Sequence, residues 1–242
     1  MWIWILTQSV SLAGSDSTLT WNLTANGARV GTRTLTIRTL EGDAGTNRIL
    51  ESYTDLNGRV GPLQVRYRQR MTAHVNGREP ASFHSVVDAN GALNEVQGRW
   101  TPGAWVITQT SNGRSRTTEM PAGRIDLSTA DLFDPFSQVA LSRFDEARIL
   151  ATESGDVLRG PVEKLGVSEV VIGPMQVQVS GYAWSSPSGR SEFYFSTDGF
   201  LVKYQVQLLG VSLDAVLASP PPGGVDDFPV AARGPIIEAI DL

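Results

Sequence analysis

The sequence predicts a mainly β protein built from antiparallel strands, and three observations carry that prediction. Turn dipeptides punctuate the chain at Asn26-Gly27, Asn57-Gly58, Asn76-Gly77, Asn90-Gly91, Asn112-Gly113 and Asp198-Gly199. Each favours the positive φ that tight hairpins demand. Between them apolar and polar residues alternate with the period of a strand. One stretch alone, residues 128–144, departs from that period far enough to read as helix.

Leu19, Trp21 and Leu23 alternate with Thr18, Thr20, Asn22 and Thr24, and Leu35 and Ile37 continue the pattern beyond the first turn. In the next long segment Leu63, Val65, Tyr67, Met71, Ala73 and Val75 share one face, with Gln64, Arg66, Arg68, Arg70, Thr72 and His74 on the other. One apolar face and one wet face mark an antiparallel sheet solvated on a single side. Strands are then expected at 81–88, 92–100, 104–110 and 114–120. In the segment STADLFDPFSQVALSRF, Asp134 can cap a helix that begins at Pro135, with Phe136, Val139, Ala140 and Phe144 on one face. A first turn over Thr129 to Phe133, capped by Ser128, precedes it. Such a helix is too short to stand alone and should pack on the sheet.

Alternation returns with Met175, Val177 and Val179 against Gln176, Gln178 and Ser180. Phe193 and Phe195 then alternate with Glu192, Tyr194 and Ser196, and Val202, Tyr204, Val206 and Leu208 with Lys203, Gln205 and Gln207. A last strand is expected at 211–217. These elements make one domain, residues 18–218, containing the helix at 129–144. Residues 219–242 read as a Pro/Gly-rich extended tail. In residues 1–17, a short apolar run from Trp2 to Leu6 precedes Ser11-Leu12-Ala13, a small-x-small cleavage pattern, with no Lys or Arg before it. That segment reads either as the end of a signal peptide or as an ordinary first strand or frayed terminus. No run approaches the ~18 apolar residues of a membrane-spanning helix.

The net charge of −5 argues against general nucleic-acid binding. The charge is unevenly placed: residues 1–124 hold 13 Arg against 9 acidic residues, and residues 125–242 hold 7 Lys and Arg against 16. Without cysteine there is no disulfide, thiolate zinc site or cysteine nucleophile. The chain lacks a G-x-S-x-G elbow, H-E-x-x-H, a phosphate loop and a dinucleotide fingerprint, so no cofactor or metal is expected.

The two histidines, His74 and His84, sit on the polar phase of neighbouring strands, with Glu79 and Asp88 the nearest carboxylates. They are either exposed imidazoles or the start of a dispersed hydrolytic site. Arg66, Arg68 and Arg70 form a row on one strand face, about 7 Å apart, and Arg114 and Arg116 repeat the spacing. Such a row contacts an anion or an acidic partner, or is a solvated face that discourages edge pairing. Trp100 and Trp105 flank a four-residue loop and form either a cross-strand pair or the lip of an apolar cavity.

Several segments in order, WNLTANGARVGTRTLTI, DPFSQVALSRF, ILATESGDVLRGP and the stretch from Met175 to Leu217, resemble an uncharacterised, mostly exported bacterial β-rich family described as a domain of unknown function. The chain is also distantly similar to outer-membrane lipoprotein carriers of the LolA/LolB type. The similarity spans roughly residues 18–218, and its most specific part is Tyr194 to Val202. It implies a strongly curved antiparallel sheet, an unclosed β-barrel, with one or two short helices packed on the concave side. It also implies a non-enzymatic protein of the periplasm or outer membrane that binds a lipid, a lipoprotein acyl chain or another apolar molecule in the hollow, while the lack of cysteine fits a cytosolic protein equally. Candidate lining residues are Trp21, Tyr67, Trp105, Phe136, Phe193, Phe195, Tyr204 and Val206. The alternatives are an envelope scaffold with a filled core that meets a protein partner, and a hydrolase built around the histidines.

Overall fold

The computed structural model describes residues 15–42, 45–60, 63–77, 79–135, 141–208 and 210–219. The first half contributes β1 (Ser15–Ala25), β2 (Ala28–Gly42), β3 (Gly45–Val60), β4 (Leu63–Asn76), β5 (Glu79–Ala89), β6 (Ala92–Thr101), β7 (Ala104–Ser111) and β8 (Arg114–Pro121). The second half contributes β9 (Leu127–Ser128), β10 (Glu146–Leu150), β11 (Val157–Ile172), β12 (Met175–Ser186), β13 (Gly189–Ser196), β14 (Leu201–Leu208) and β15 (Val211–Leu217).

All of them join one sheet in the order β8-β7-β6-β5-β4-β3-β2-β1-β15-β14-β13-β12-β11-β10-β9. The first and last strands pair in its middle, Trp21 opposite Leu217. The free edges are β8 and β9, neighbours in sequence that do not pair with each other. The barrel is therefore left unclosed at that seam. Bonds from the β10–β11 turn reach strands far away in the sheet order: Asn94 on β6 donates to the Glu153 carbonyl at 2.8 Å, and Gln109 on β7 donates to the Ser154 carbonyl. Such contacts require the sheet to curl until its two ends approach.

The expected strands are present, and the turns at Asn26-Gly27, Asn90-Gly91 and Asn112-Gly113 all adopt positive φ at both residues. Asn57-Gly58 is a correction. It lies inside β3, and Gly58 is small for another reason: a Cβ there would meet Val30 Cγ1 at 2.9 Å. The helix expected across 129–144 is a second correction. The described residues of that segment form 3-10 turns, Asp131–Phe133 and Leu141–Arg143, and no α-helix occurs among the described residues. Asp134 does not cap a helix, because its carboxylate accepts from Arg48 of β3. Phe136, Val139 and Ala140 lie outside the described residues, as do residues 1–14 and 220–242. Residues 15–17, read with the N-terminal segment, belong to β1.

The inner face carries the core: Trp21, Leu35, Ile37, Leu50, Val96 and Ile107 are essentially without solvent exposure. Close packing extends to the backbone at Gly98, which pairs with Phe83 across β5 and β6. A Cβ at Gly98 would lie 2.0 Å from the Phe83 ring, which in turn packs on Trp105 at 5.6 Å. Gly98→Ala is expected to destabilise the fold by about 1–3 kcal/mol through this overlap, as measured by urea unfolding. An unchanged midpoint would show that the ring moves aside without cost.

At the seam, Arg148 of β10 binds Asp126 through both guanidinium and backbone nitrogens, at 2.6, 3.0 and 2.7 Å. The side-chain bonds from Arg148 hold the Asp126 carboxyl below its ordinary value. Its folded value is thus below the unfolded one. The stabilisation is fully present above the ordinary carboxylate value near 4 and is lost as pH falls through the lowered one. Protection of the β9 and β10 amides, corrected for the intrinsic exchange rate, is expected to fall below about pH 4, and Asp126→Asn is expected to remove that dependence.

Candidate functional site

A single row of residues crosses the inner wall at one level. Trp21 on β1 pairs with Arg33 on β2, Arg33 with Thr54 on β3, and Thr54 with Gln69 on β4. The row begins apolar and turns polar. Gln69 is buried and donates to Ser85 at 3.1 Å, while its oxygen takes the Tyr67 hydroxyl at 3.3 Å. Arg33 is half-buried; its Nε donates to Ser52 at 3.0 Å. No carboxylate among the described residues lies within ion-pair distance of Arg33. Thr54 is 6% exposed, and its hydroxyl oxygen is buried without a hydrogen-bond partner.

These residues border a cavity of about 160 Å³. Its apolar wall comes from β1, β10, β13, β14 and β15, through Leu23, Ile149, Phe193, Val206 and Leu213. Ser188 and Gln207, both exposed, stand at its mouth. Leu132 and Phe133 of the 3-10 turn close the other side, in the place that the sequence reading assigned to a helix.

Phe133 is the centre of an aromatic group. Its ring meets Trp21 edge-on at 5.7 Å and Tyr204 at 5.4 Å, and the Arg33 guanidinium stacks 3.6 Å from its centroid. Trp21 is fixed by donating from Nε1 to the Leu201 carbonyl at 3.0 Å. The turn itself is tied down at each end. Ser128 donates twice to Asp131, at 2.6 and 2.9 Å, and Asp134 pairs with Arg48 at 2.9 Å.

Burial sets the protonation of the phenols. It raises Tyr67, and nearby Glu153 adds to that while Arg33 opposes it. It also raises Tyr204, against the pull of the adjacent Arg33. Both are neutral at neutral pH; the Tyr67 hydroxyl donates to Gln69, and the Tyr204 oxygen accepts from Arg33. Burial raises the Asp131 carboxyl too, with the Ser128 bonds working the other way.

Of the expected lining residues, Tyr67, Phe193, Tyr204 and Val206 border the cavity. Trp21 stands behind them, against Tyr204 at 6.4 Å. Trp105 packs with Phe83 and Trp100 away from the cavity, and Phe195 packs against Tyr182. Phe136 lies outside the described residues. Sequence reasoning missed Arg33, Thr54, Gln69 and Phe133. For Arg33 and Thr54 a signal was available, since each is a polar residue in the apolar phase of its strand.

The arginine row is on the outer surface and is occupied within the sheet. Arg66 faces Asp88 at 3.9 Å, Arg68 faces Asp55 at 3.3 Å, and Arg70 lies over the Tyr53 ring at 5.6 Å. His84 meets Glu95 at 2.9 Å, with both side chains well exposed, and His74 is exposed on β4. The two imidazoles do not face each other, because His84 pairs with Thr72 and His74 with Ser82. No group of three or more potential metal ligands occurs among the described residues. No described helix is long and apolar enough to cross a membrane.

A solved structure from Brucella abortus, a β-barrel-like protein of domain of unknown function DUF1849, is similar to this chain. The TM-score is 0.54 at 12% identity, over 84% of this chain and 96% of that one. At that identity the likeness concerns the fold. No curated protein matches the chain. Neither the family match nor the structural neighbour links it to the LolA/LolB-type carriers. The family model of DUF6134, a domain of unknown function, matches residues 21–218, most of the sheet just described, and the chain belongs to that family.

Proposed function

We propose that this protein is a non-enzymatic binding protein of the cell envelope that holds the apolar part of a small molecule inside its unclosed barrel. The observation that carries this reading is the cavity beside Phe133, aromatic and aliphatic on most sides and open at the Ser188–Gln207 rim. Its affinity comes from burial of apolar area, at about 25 cal/mol per Å². The volume of about 160 Å³ sets the scale. Pockets for drug-sized ligands occupy about 300–1,000 Å³, so this one takes an aromatic ring or the end of an acyl chain rather than a whole lipid.

Trp184 borders the cavity and supplies an intrinsic probe. A fluorescent fatty acid is expected to bind the detergent-free protein and to quench that indole, and Val206→Trp, which fills the hollow, is expected to block binding. Mass spectrometry of extracts from freshly purified protein would identify the resident molecule. Absence of uptake together with an empty extract overturns the reading. The envelope location rests on Ser11-Leu12-Ala13 as a cleavage pattern, and is tested by fractionating cells that express the tagged protein.

The modest volume favours one second reading, a scaffold whose interior is filled for stability alone. Val206→Trp would then raise stability or leave it unchanged, and no apolar probe would bind.

A further inference from the structure

Two arginines point into the barrel from adjacent strands, and they are treated differently. Arg48 on β3 is buried against the carboxylate of Asp134. Arg33 on β2 borders the cavity, and no carboxylate among the described residues lies within ion-pair distance of it. Its neutral contacts are Ser52, the Tyr204 hydroxyl and the face of Phe133. Directly opposite Arg33 in the sheet register is Thr54, whose buried hydroxyl oxygen has no partner and which borders the same cavity. A half-buried guanidinium at a cavity wall pairs favourably with an anion, and a buried hydroxyl needs a hydrogen-bond partner. One carboxylate seated between Arg33 and Thr54 satisfies both.

We propose that the ligand is a small monocarboxylate with an apolar body. Arg33 holds the carboxylate from β2, the Thr54 hydroxyl donates to it from β3, and the apolar body lies against Phe193, Val206 and Leu213. This rests on the binding role proposed above and assigns its ligand a chemical class. The same cavity also carries Glu153, whose Oε2 accepts from Thr129 at 3.2 Å. Among the described residues Arg33 is the one cation of that lining and Glu153 its one carboxylate, so a single positive group faces the ligand and the nearby negative charge disfavours a phosphate dianion relative to a monoanion.

The test is calorimetric titration of the full chain at pH 7 with benzoate, benzyl alcohol and phenyl phosphate. A dry cavity of about 150 Å³ accepts benzene, so the ring suits the volume here. Benzoate is expected to bind on the order of tenfold more tightly than benzyl alcohol, as charged hydrogen bonds do relative to neutral ones, and phenyl phosphate more weakly than benzoate. In Arg33→Met, which keeps an unbranched side chain beside Phe133, the ratio of the two affinities is expected to fall towards one. If that variant does not fold, Thr54→Val, nearly isosteric, is expected to reduce the ratio several-fold.

Equal binding of benzyl alcohol and benzoate by the unaltered protein would overturn the carboxylate assignment and leave the cavity as a neutral apolar site. Tighter binding of phenyl phosphate than of benzoate would overturn the single-charge assignment. Binding of neither benzoate nor benzyl alcohol, with the fluorescent fatty acid still taken up, would overturn this inference alone; with no fatty-acid uptake and an empty extract, the binding role falls too.

Discussion

Asp134→Ala is expected to destabilise the protein by about 3–5 kcal/mol, the cost of removing one partner from a buried ion pair. Asp134 has no exposed side-chain surface and Arg48 only 6%, and they meet at 2.9 Å. The guanidinium stays behind on β3 without its bonded carboxylate, and Asp131, which also feels its charge, does not take over that bond where it stands. The pair also joins positions 86 residues apart, tying the 3-10 turn that carries Leu132 and Phe133 to the inner wall. Arg38, about half exposed beside Asp16 and Glu51, is the internal control. Arg38→Ala is expected to cost less than about 1 kcal/mol, since exposed pairs are screened by water. The double replacement Arg48→Met with Asp134→Leu is expected to recover most of the loss, because it removes both charges of the pair together. Chemical denaturation followed by tryptophan fluorescence reads all three. A cost below about 1 kcal/mol for Asp134→Ala would mean that the turn is held by its other contacts, chiefly β9 against β10 and the Ser128–Asp131 bonds.

The same residue shows where sequence reasoning stops. Asp before Pro135 and an apolar run is a sound local signal for a helix start. Here the carboxylate instead satisfies an arginine on a strand laid down much earlier in the chain, and local periodicity contains no trace of that demand. The strands were legible because alternation is a local property, and the Asn-Gly turns were legible because positive φ is one too. Asn57-Gly58 misled for the converse reason. The glycine answers to Val30 on the next strand rather than to a turn.

The polar side of the cavity was half legible. Arg33 shares its phase with Leu35 and Ile37, and Thr54 shares its phase with Leu50 and Leu56, so each is visibly out of place. That they sit opposite one another, with Gln69 next in line, depends on the register of three strands, and a single sequence does not specify it. Local periodicity places Phe133 in a helical first turn. Its role as the wedge under Trp21 and Tyr204 follows from closure of the sheet around the turn.

Phe133→Ala tests that wedge, with an expected loss of about 3–5 kcal/mol, the range for removing a buried aromatic side chain. The ring is 6% exposed and touches three partners that lose different things. Trp21 and Tyr204 lose edge-on contacts at 5.7 and 5.4 Å, each worth about 0.5–1.5 kcal/mol beyond burial. Arg33 loses the aromatic face 3.6 Å beneath its guanidinium, a contact of about 0.5–2 kcal/mol depending on desolvation. The Trp21 bond to Leu201 fixes the indole, so the neighbours cannot simply collapse into the space, and the cavity grows. Two consequences separate this from general damage to the core. Benzene, which binds only the folded state, should restore part of the lost stability in proportion to its occupancy. Phe133→Leu, which keeps apolar volume but no ring, should cost less than the alanine variant while still loosening Arg33. Equal stability of the alanine variant and the unaltered protein would place the Phe133 ring outside the wall, and the cavity would then be bounded by the sheet alone.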